Sequence, residues 1–241
     1  MAPTVVLITG TTRGIGKGLL ELYLARPSHL VVSANRDPDL PASRALSDLP
    51  TAEGTSHVFL RIDASQPDHP AQAVAELAAR GIDHVDILIG NAAVGLCWPK
   101  LSGVKTDDIQ KHVDVNVYGF VWLYQAFLLV IKRYKRPTWV TIGSSAAWLT
   151  YANAAYGPTK LVGHYYTGTM HWEEPGICAF PIDPGWVQSD LGNRAAGLFG
   201  IDAAPITVSD SVNGIVKVVD VAAKETHGGK MWVYDERQVP W

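Results

Sequence analysis

The segment TVVLITGTTRGIGKG, residues 4–18, decides the fold. Its first seven residues are β-branched and apolar apart from the threonines and the closing glycine, the pattern of a strand buried on both faces. A glycine turn follows at once, with Gly10, Gly14 and Gly16 separated by Thr11, Thr12, Arg13 and Ile15, and the apolar positions of 19–24 then take helical spacing. Strand, glycine turn and helix in that order bring bare backbone close to a bound anion. The first N–H groups of the helix have no partners of their own and face it. Such a turn is common, so the rest of the chain has to say what it serves.

Further short apolar runs recur at regular intervals: HLVVSAN at His29–Asn35, HVFLRID at 57–63, VDILIGN at 85–91, TWVTIG at 138–143, GICAFPI at 176–182 and KMWVYD at 230–235. Helical patterns lie between them, which predicts an α/β fold of the Rossmann-type doubly wound kind: a seven-stranded parallel sheet with helices on both faces. The 241 residues fit a single domain. A net charge of −3 offers nothing to nucleic acid or an anionic membrane. The longest uninterrupted apolar run, 126–131, is far short of a span. No leader or retention signal is read, and Cys97 and Cys178 form neither a disulfide framework nor a metal site, so a cytoplasmic protein without a metal is expected.

The chemistry is expected in IGSSAAWLTYANAAYGPTK, residues 142–160. Tyr156 and Lys160 are four residues apart, hence stacked on one face of a helix. An ammonium beside a phenol favours the phenolate and brings a poor acid with a pKa near ~10 toward use at neutral pH. A serine, Ser144 or Ser145, stands about a dozen residues upstream to hold the same substrate oxygen. Pro158 is tolerable only in a first helical turn, so the helix starts just before Tyr156. The motif residues Gly10, Arg36, Asp63, Asn91, Ser144 and Pro184 all follow strands, at the edge where open parallel sheets bind ligands.

These residues together resemble the short-chain dehydrogenase/reductase family along essentially the whole chain. Thr9-Gly10-x-x-x-Gly14-x-Gly16 is similar to its cofactor turn, Asn91-Ala92 to its Asn-Asn-Ala-Gly, and Pro184-Gly185 with Val187 and Ser189 to the segment beside the nicotinamide. The resemblance implies a catalytic set of Asn116, Ser144, Tyr156 and Lys160, with Asn116 tethering a water near the lysine, and places Asp63 with Ala64 at the adenine. Tyr156 follows Ser144 by twelve residues, one fewer than the family's habit. Position after the strand favours Ser144, with Ser145 the alternative. The ending GGKMWVYDERQVPW resembles that of carbonyl and ketone reductases of fungal secondary metabolism.

The end of the second strand selects the cofactor. An acid there would hold the ribose of NAD and repel a 2′-phosphate. Asn35 stands in its place, Arg36 follows, and Arg13 is near enough to join it, so NADP(H) is expected. The activity expected is reduction of a ketone or aldehyde by NADPH. Its rivals are NADP-linked alcohol oxidation and a dinucleotide-binding protein that shapes or senses a ligand without redox. In the helix predicted over 106–133, Ile109, Val113, Asn116, Phe120, Leu123, Phe127 and Val130 form one buried stripe with Asn116 its polar member. Tyr118, Trp122, Ala126 and Leu129 form a second line, the basis for expecting a homo-oligomer. Eight tryptophans are many for this length. Trp98, Trp148 with Tyr151, and Trp186 fall in loops beyond the sheet edge, under a glycine-punctuated segment, 191–206, read as a flexible lid carrying Leu198 and Phe199. Aromatic walls predict an aromatic or polycyclic carbonyl substrate.

Overall fold

In the computed structural model, which describes residues 2–149 and 153–240, the apolar runs become strands at the C-terminal edge of which every motif residue is gathered. The strands are β1 (Thr4–Thr9), β2 (His29–Asn35), β3 (Ser56–Arg61), β4 (Ile87–Gly90), β5 (Thr138–Ile142), β6 (Cys178–Asp183), β7 (Met231–Val233) and β8 (Gln238–Val239). Between them run α1 (Gly14–Leu24), α2 (Pro41–Arg44), α3 (His69–Ala79), α4 (Thr106–Val113), α5 (Gly119–Ile131), α6 (Tyr156–Glu173), α7 (Asp190–Leu198), α8 (Val208–Asp220) and α9 (Lys224–His227). The sheet order is β3-β2-β1-β4-β5-β6-β7-β8. The first seven strands are parallel, as expected; the eighth corrects the predicted count. After β7 the chain reverses through Glu236, whose φ is 69°, and two residues of β8 pair antiparallel with Met231 and Trp232. A two-residue edge strand leaves no periodicity to read.

Each face of the sheet carries its own core, the doubly wound arrangement. On one face Leu19, Leu20 and Tyr23 of α1 meet Val212, Ile215 and Val216 of α8 over Val6, Ile8 and Phe180. On the other, Leu77 of α3, Phe127 and Ile131 of α5 and Met170 of α6 cover Leu7, Leu88 and Trp139. Burying large apolar side chains at roughly 1.5–3 kcal/mol each makes these layers the main source of stability. Strand order reverses between β1 and β4, and a crevice opens there at the carboxyl ends, where Gly10 and Asn91 stand side by side.

The helix predicted over 106–133 is continuous but not uniform. Asp114–Tyr118 is a π-helical turn between α4 and α5, centred on Asn116. The apolar stripe is buried as predicted along α5, through Leu123, Phe127 and Val130. The run Thr106–Ile131 is long and apolar enough to cross a membrane by length and composition. Its inward face is nevertheless the core just described, while Tyr118 and Leu129 of the second line are exposed.

Candidate active site

The glycine turn is shaped by contacts that exclude side chains. Gly10 has φ +70° and Gly14 φ +55°, values costly for any other residue. A Cβ on Gly16 would lie 2.1 Å from the Gly10 carbonyl oxygen and 2.5 Å from Asn91 Nδ2. Asn91 buttresses the turn, donating to the Thr9 and Gly10 carbonyls at 2.8 and 3.0 Å, while Thr9 Oγ1 accepts the N–H groups of Asn91 and Ala92. Helix α1 starts directly behind the turn with no side chain capping its first N–H groups. The turn is thus a cradle for an anion at a helix start.

A cavity of about 960 Å³ extends from this cradle along the strand ends. Gly10, Thr12, Arg13, Gly14, Ile15, Gly16, Asn35, Arg36, Asp63, Ala64, Asn91, Ser144, Tyr156, Lys160, Pro184, Gly185, Val187 and Ser189 all line it. Asn116 does not: it borders a small cavity of about 40 Å³ behind Lys160. Its amide is fully engaged, Nδ2 donating to Val94 O and Thr159 Oγ1 and Oδ1 accepting the Val94 N–H. The side chain therefore fixes the π-helical turn to the loop after β4 and to α6.

Two other predicted ligands have structural tasks as well. Asn35 turns its amide to Thr11, accepting the Thr11 N–H at 2.8 Å and donating to its hydroxyl at 2.9 Å, and so pins the glycine turn. Asp63 Oδ1 accepts from the Ser65 N–H and hydroxyl. Arg36 is exposed at the cavity rim. Arg13, which also lines the cavity, pairs with Asp190 at 2.8 Å, both side chains well exposed. Such a pair contributes little and leaves the guanidinium available to a competing anion.

At the other end of the cavity α6 begins with Tyr156, as Pro158 required. Tyr156 is buried, with its ring edge-on to Trp98 and His112. Lys160 Nζ lies 5.9 Å from the centre of that ring and donates to Ile142 O at 2.6 Å. Burial, opposed by the charge of Asp183, lowers the Lys160 pKa from 10.5 to about 8. Asp183 is itself raised, chiefly by burial, while hydrogen bonds from Gly185 and Ser145 and the nearby Lys160 act the other way. Ser145 is thereby turned to Asp183. Ser144 extends from β5 with its Oγ accepting the Ala146 N–H at 3.1 Å; both serines line the cavity. Between the two serines, geometry favours Ser144 for a ligand.

His164, which sequence reasoning passed over, is fully buried and accepts the Ser144 N–H on Nε2 at 3.2 Å. Burial first, then Lys160, brings its pKa down to about 3, so the ring is neutral. Its place four residues after Lys160 was the available signal.

The aromatic wall is partly as predicted. Trp98, Trp186 and Phe199 line the cavity, with Leu149, Leu191 and Ile201. Trp148 does not; its ring lies 5.8 Å from that of His164, and Leu149 takes the expected place. Tyr151 lies outside the described residues. Leu198 points to solvent. Within 191–206, the segment expected as a lid, α7 is capped by Ser189 Oγ, Trp186 Nε1 donates to Gly192 O, and Asn193 Oδ1 accepts the Ala204 N–H.

Comparison with known proteins gives the chain's family. Residues 4–196 match the family described as short chain dehydrogenase. Norsolorinic acid ketoreductase nor1 of Dothistroma septosporum is 36% identical over 99% of this chain and 92% of its own length. Norsolorinic acid ketoreductase of Aspergillus parasiticus is 38% identical over 99% and 91%. NADPH-bound carbonyl reductase from chicken fatty liver shares the fold, with a TM-score of 0.86 at 23% identity and complete coverage of both chains. The chain belongs to the short-chain dehydrogenase family and is an oxidoreductase acting on C=O and CH–OH groups.

Proposed function

We propose that the protein reduces a ketone to an alcohol with NADPH, and that its substrate is an aromatic or polycyclic ketone of secondary metabolism. The observation that carries this reading is one cavity lined both by the glycine cradle with Arg13 and Arg36 and by Ser144, Tyr156 and Lys160 among apolar walls. The cradle fits a dinucleotide: the glycines that a Cβ would fill are glycines, and the second strand ends without an acid. Gly10, Gly14 and Gly16 would hold its phosphates, Arg13 and Arg36 a 2′-phosphate, Asp63 and Ala64 its adenine, and Pro184, Gly185, Val187 and Ser189 its nicotinamide end. When bound, the cofactor supplies the hydride.

The chain's own residues then do the rest. Ser144 donates a hydrogen bond from its hydroxyl to the carbonyl oxygen and polarises it as charge develops, keeping its own proton. Tyr156 delivers a proton to that oxygen. Lys160, protonated at neutral pH, stabilises the phenolate left behind and is held by Ile142 O. Asn116 keeps the turn behind the lysine in place. Trp98, Trp186 and Phe199 give flat apolar area for the substrate and exclude water. Both ketoreductase relatives are named for norsolorinic acid, which heads the ketones to try. We also propose that the chain self-associates through the exposed faces of the π-helical turn, α5 and α6, where Tyr118, Leu129, Leu161, Tyr165 and Trp172 meet solvent.

The test is NADPH consumption by the purified protein with norsolorinic acid, simple aromatic ketones and a small polar keto acid. Turnover of the aromatic ketones in preference to the keto acid is expected. Tight NADPH binding with no consumption across the panel would contradict it and favour a binding protein.

A further inference from the structure

We propose that His164 is a positioning residue that sets Ser144 in place against Tyr156 and Lys160. The inference rests on the reading of Ser144 as the group that holds the substrate oxygen. The ladder between β4 and β5 ends with Gly90 opposite Thr141, and beyond it β5 is paired on one side only, with β6. Gly143 donates to Ile182 of β6. Strand alternation therefore turns the backbone groups of Ile142 and Ser144 to the side that β4 has vacated.

Both groups would be buried polar atoms without a strand partner, a costly condition. Helix α6 takes them up. Lys160 Nζ donates to the Ile142 carbonyl at 2.6 Å, and one turn later His164 Nε2 accepts the Ser144 N–H at 3.2 Å. The imidazole is thus a direct tie between the strand end that carries Ser144 and the helix that carries Tyr156 and Lys160.

The surroundings are built around that ring. A Cβ on Gly143 would lie 2.4 Å from His164 Nε2, so only glycine lets the ring reach the backbone of Ser144. Trp148 closes over it, ring centres 5.8 Å apart. An imidazolium could not accept the Ser144 N–H and would stand beside the Lys160 ammonium. A neutral ring with its proton on Nδ1 satisfies both demands. A core histidine placed only for packing would need neither the glycine nor the bond to the serine.

The experiment is a mutant cycle on the full-length protein with NADPH and an aromatic ketone. His164→Leu removes the acceptor at similar volume, and His164→Gln keeps an acceptor at comparable reach. Each is made alone and with Ser144→Ala. His164→Leu should lower kcat about 10–100-fold with the NADPH Kd within about 2-fold of wild type, and His164→Gln should recover most of the loss. In the Ser144→Ala background His164→Leu should cost less than about 2-fold more, because a residue acting through Ser144 has nothing left to position. Losses that multiply in the double variant, or equal losses for glutamine and leucine, would overturn the proposal. Should His164→Leu fail to fold, His164→Asn, too short to reach, replaces it; asparagine and glutamine behaving alike would overturn it as well. If Ser144→Ala alone keeps wild-type kcat, the reading of Ser144 falls, and that result is distinct from a failure of the tie.

Discussion

Lys160→Met should make the cofactor-free protein's stability respond differently to pH while abolishing turnover. Lys160 is 8% exposed, and burial lowers its pKa from 10.5 to about 8. Because the folded value lies below the unfolded one, the buried ammonium costs stability in full at pH values below 8. That cost is relieved as the pH climbs from 8 toward 10.5, where the folded amine is neutral and the unfolded one still charged. Between about pH 7 and about pH 10 the wild type should gain roughly 2.5 kcal/mol relative to the methionine variant. Methionine keeps the length of the chain and titrates nowhere, so other groups cancel in the difference. Urea unfolding of both proteins without cofactor, at several pH values, measures it. A difference constant to within about 0.5 kcal/mol over that range would refute the idea that a charged lysine is held buried beside Tyr156.

Three further outcomes are expected. Replacing both Arg13 and Arg36 by alanine should remove about 3–5 kcal/mol of preference, on the order of 10²–10³-fold in the ratio of kcat/KM for NADPH over NADH; an unchanged ratio sinks the assignment of the 2′-phosphate site. Trp186→Ala should raise KM for an aromatic ketone about 10-fold while NADPH affinity holds; lost stability with normal kinetics per folded molecule would make the ring a packing residue. Sedimentation at micromolar concentration should show a dimer or tetramer, which Leu129→Glu with Tyr165→Glu should dissociate to monomers; a monomeric wild type contradicts the proposed interface.

How far the sequence could be read follows from how each feature is encoded. Buried parallel strands are short β-branched runs, and the glycine turn and Tyr156/Lys160 are local patterns, so the sheet and the line of the cavity were legible. Strand β8 was not, because two antiparallel residues at an edge carry no pattern. The π-helical turn at Asn116 hides within an unbroken helical stripe: it adds one residue to a turn without a glycine or proline to mark it. Helix α7 carries two glycines, Gly192 and Gly197, and no long apolar run, so the punctuation of 191–206 hides the helix that the Ser189 cap starts. The exchange of Trp148 for Leu149 at the cavity wall is a one-residue question of loop direction, which spacing cannot answer. His164 was missed because a histidine on an apolar helix face reads as core. Its meaning comes from Gly143 and from the early end of β4, neither of which lies near it in sequence.

The central claim, that Tyr156 protonates a carbonyl oxygen in a reduction driven by NADPH, is tested most directly by comparing wild type with Tyr156→Phe. Both would be given NADPH carrying deuterium at both C4 positions and an aromatic ketone, and the products weighed by mass spectrometry. The wild type should yield an alcohol carrying one deuterium for each NADPH consumed. The phenylalanine variant should bind NADPH with unchanged affinity and turn over at least about 10²-fold more slowly. Turnover retained to more than a few per cent of wild type, or an alcohol without deuterium, would contradict it.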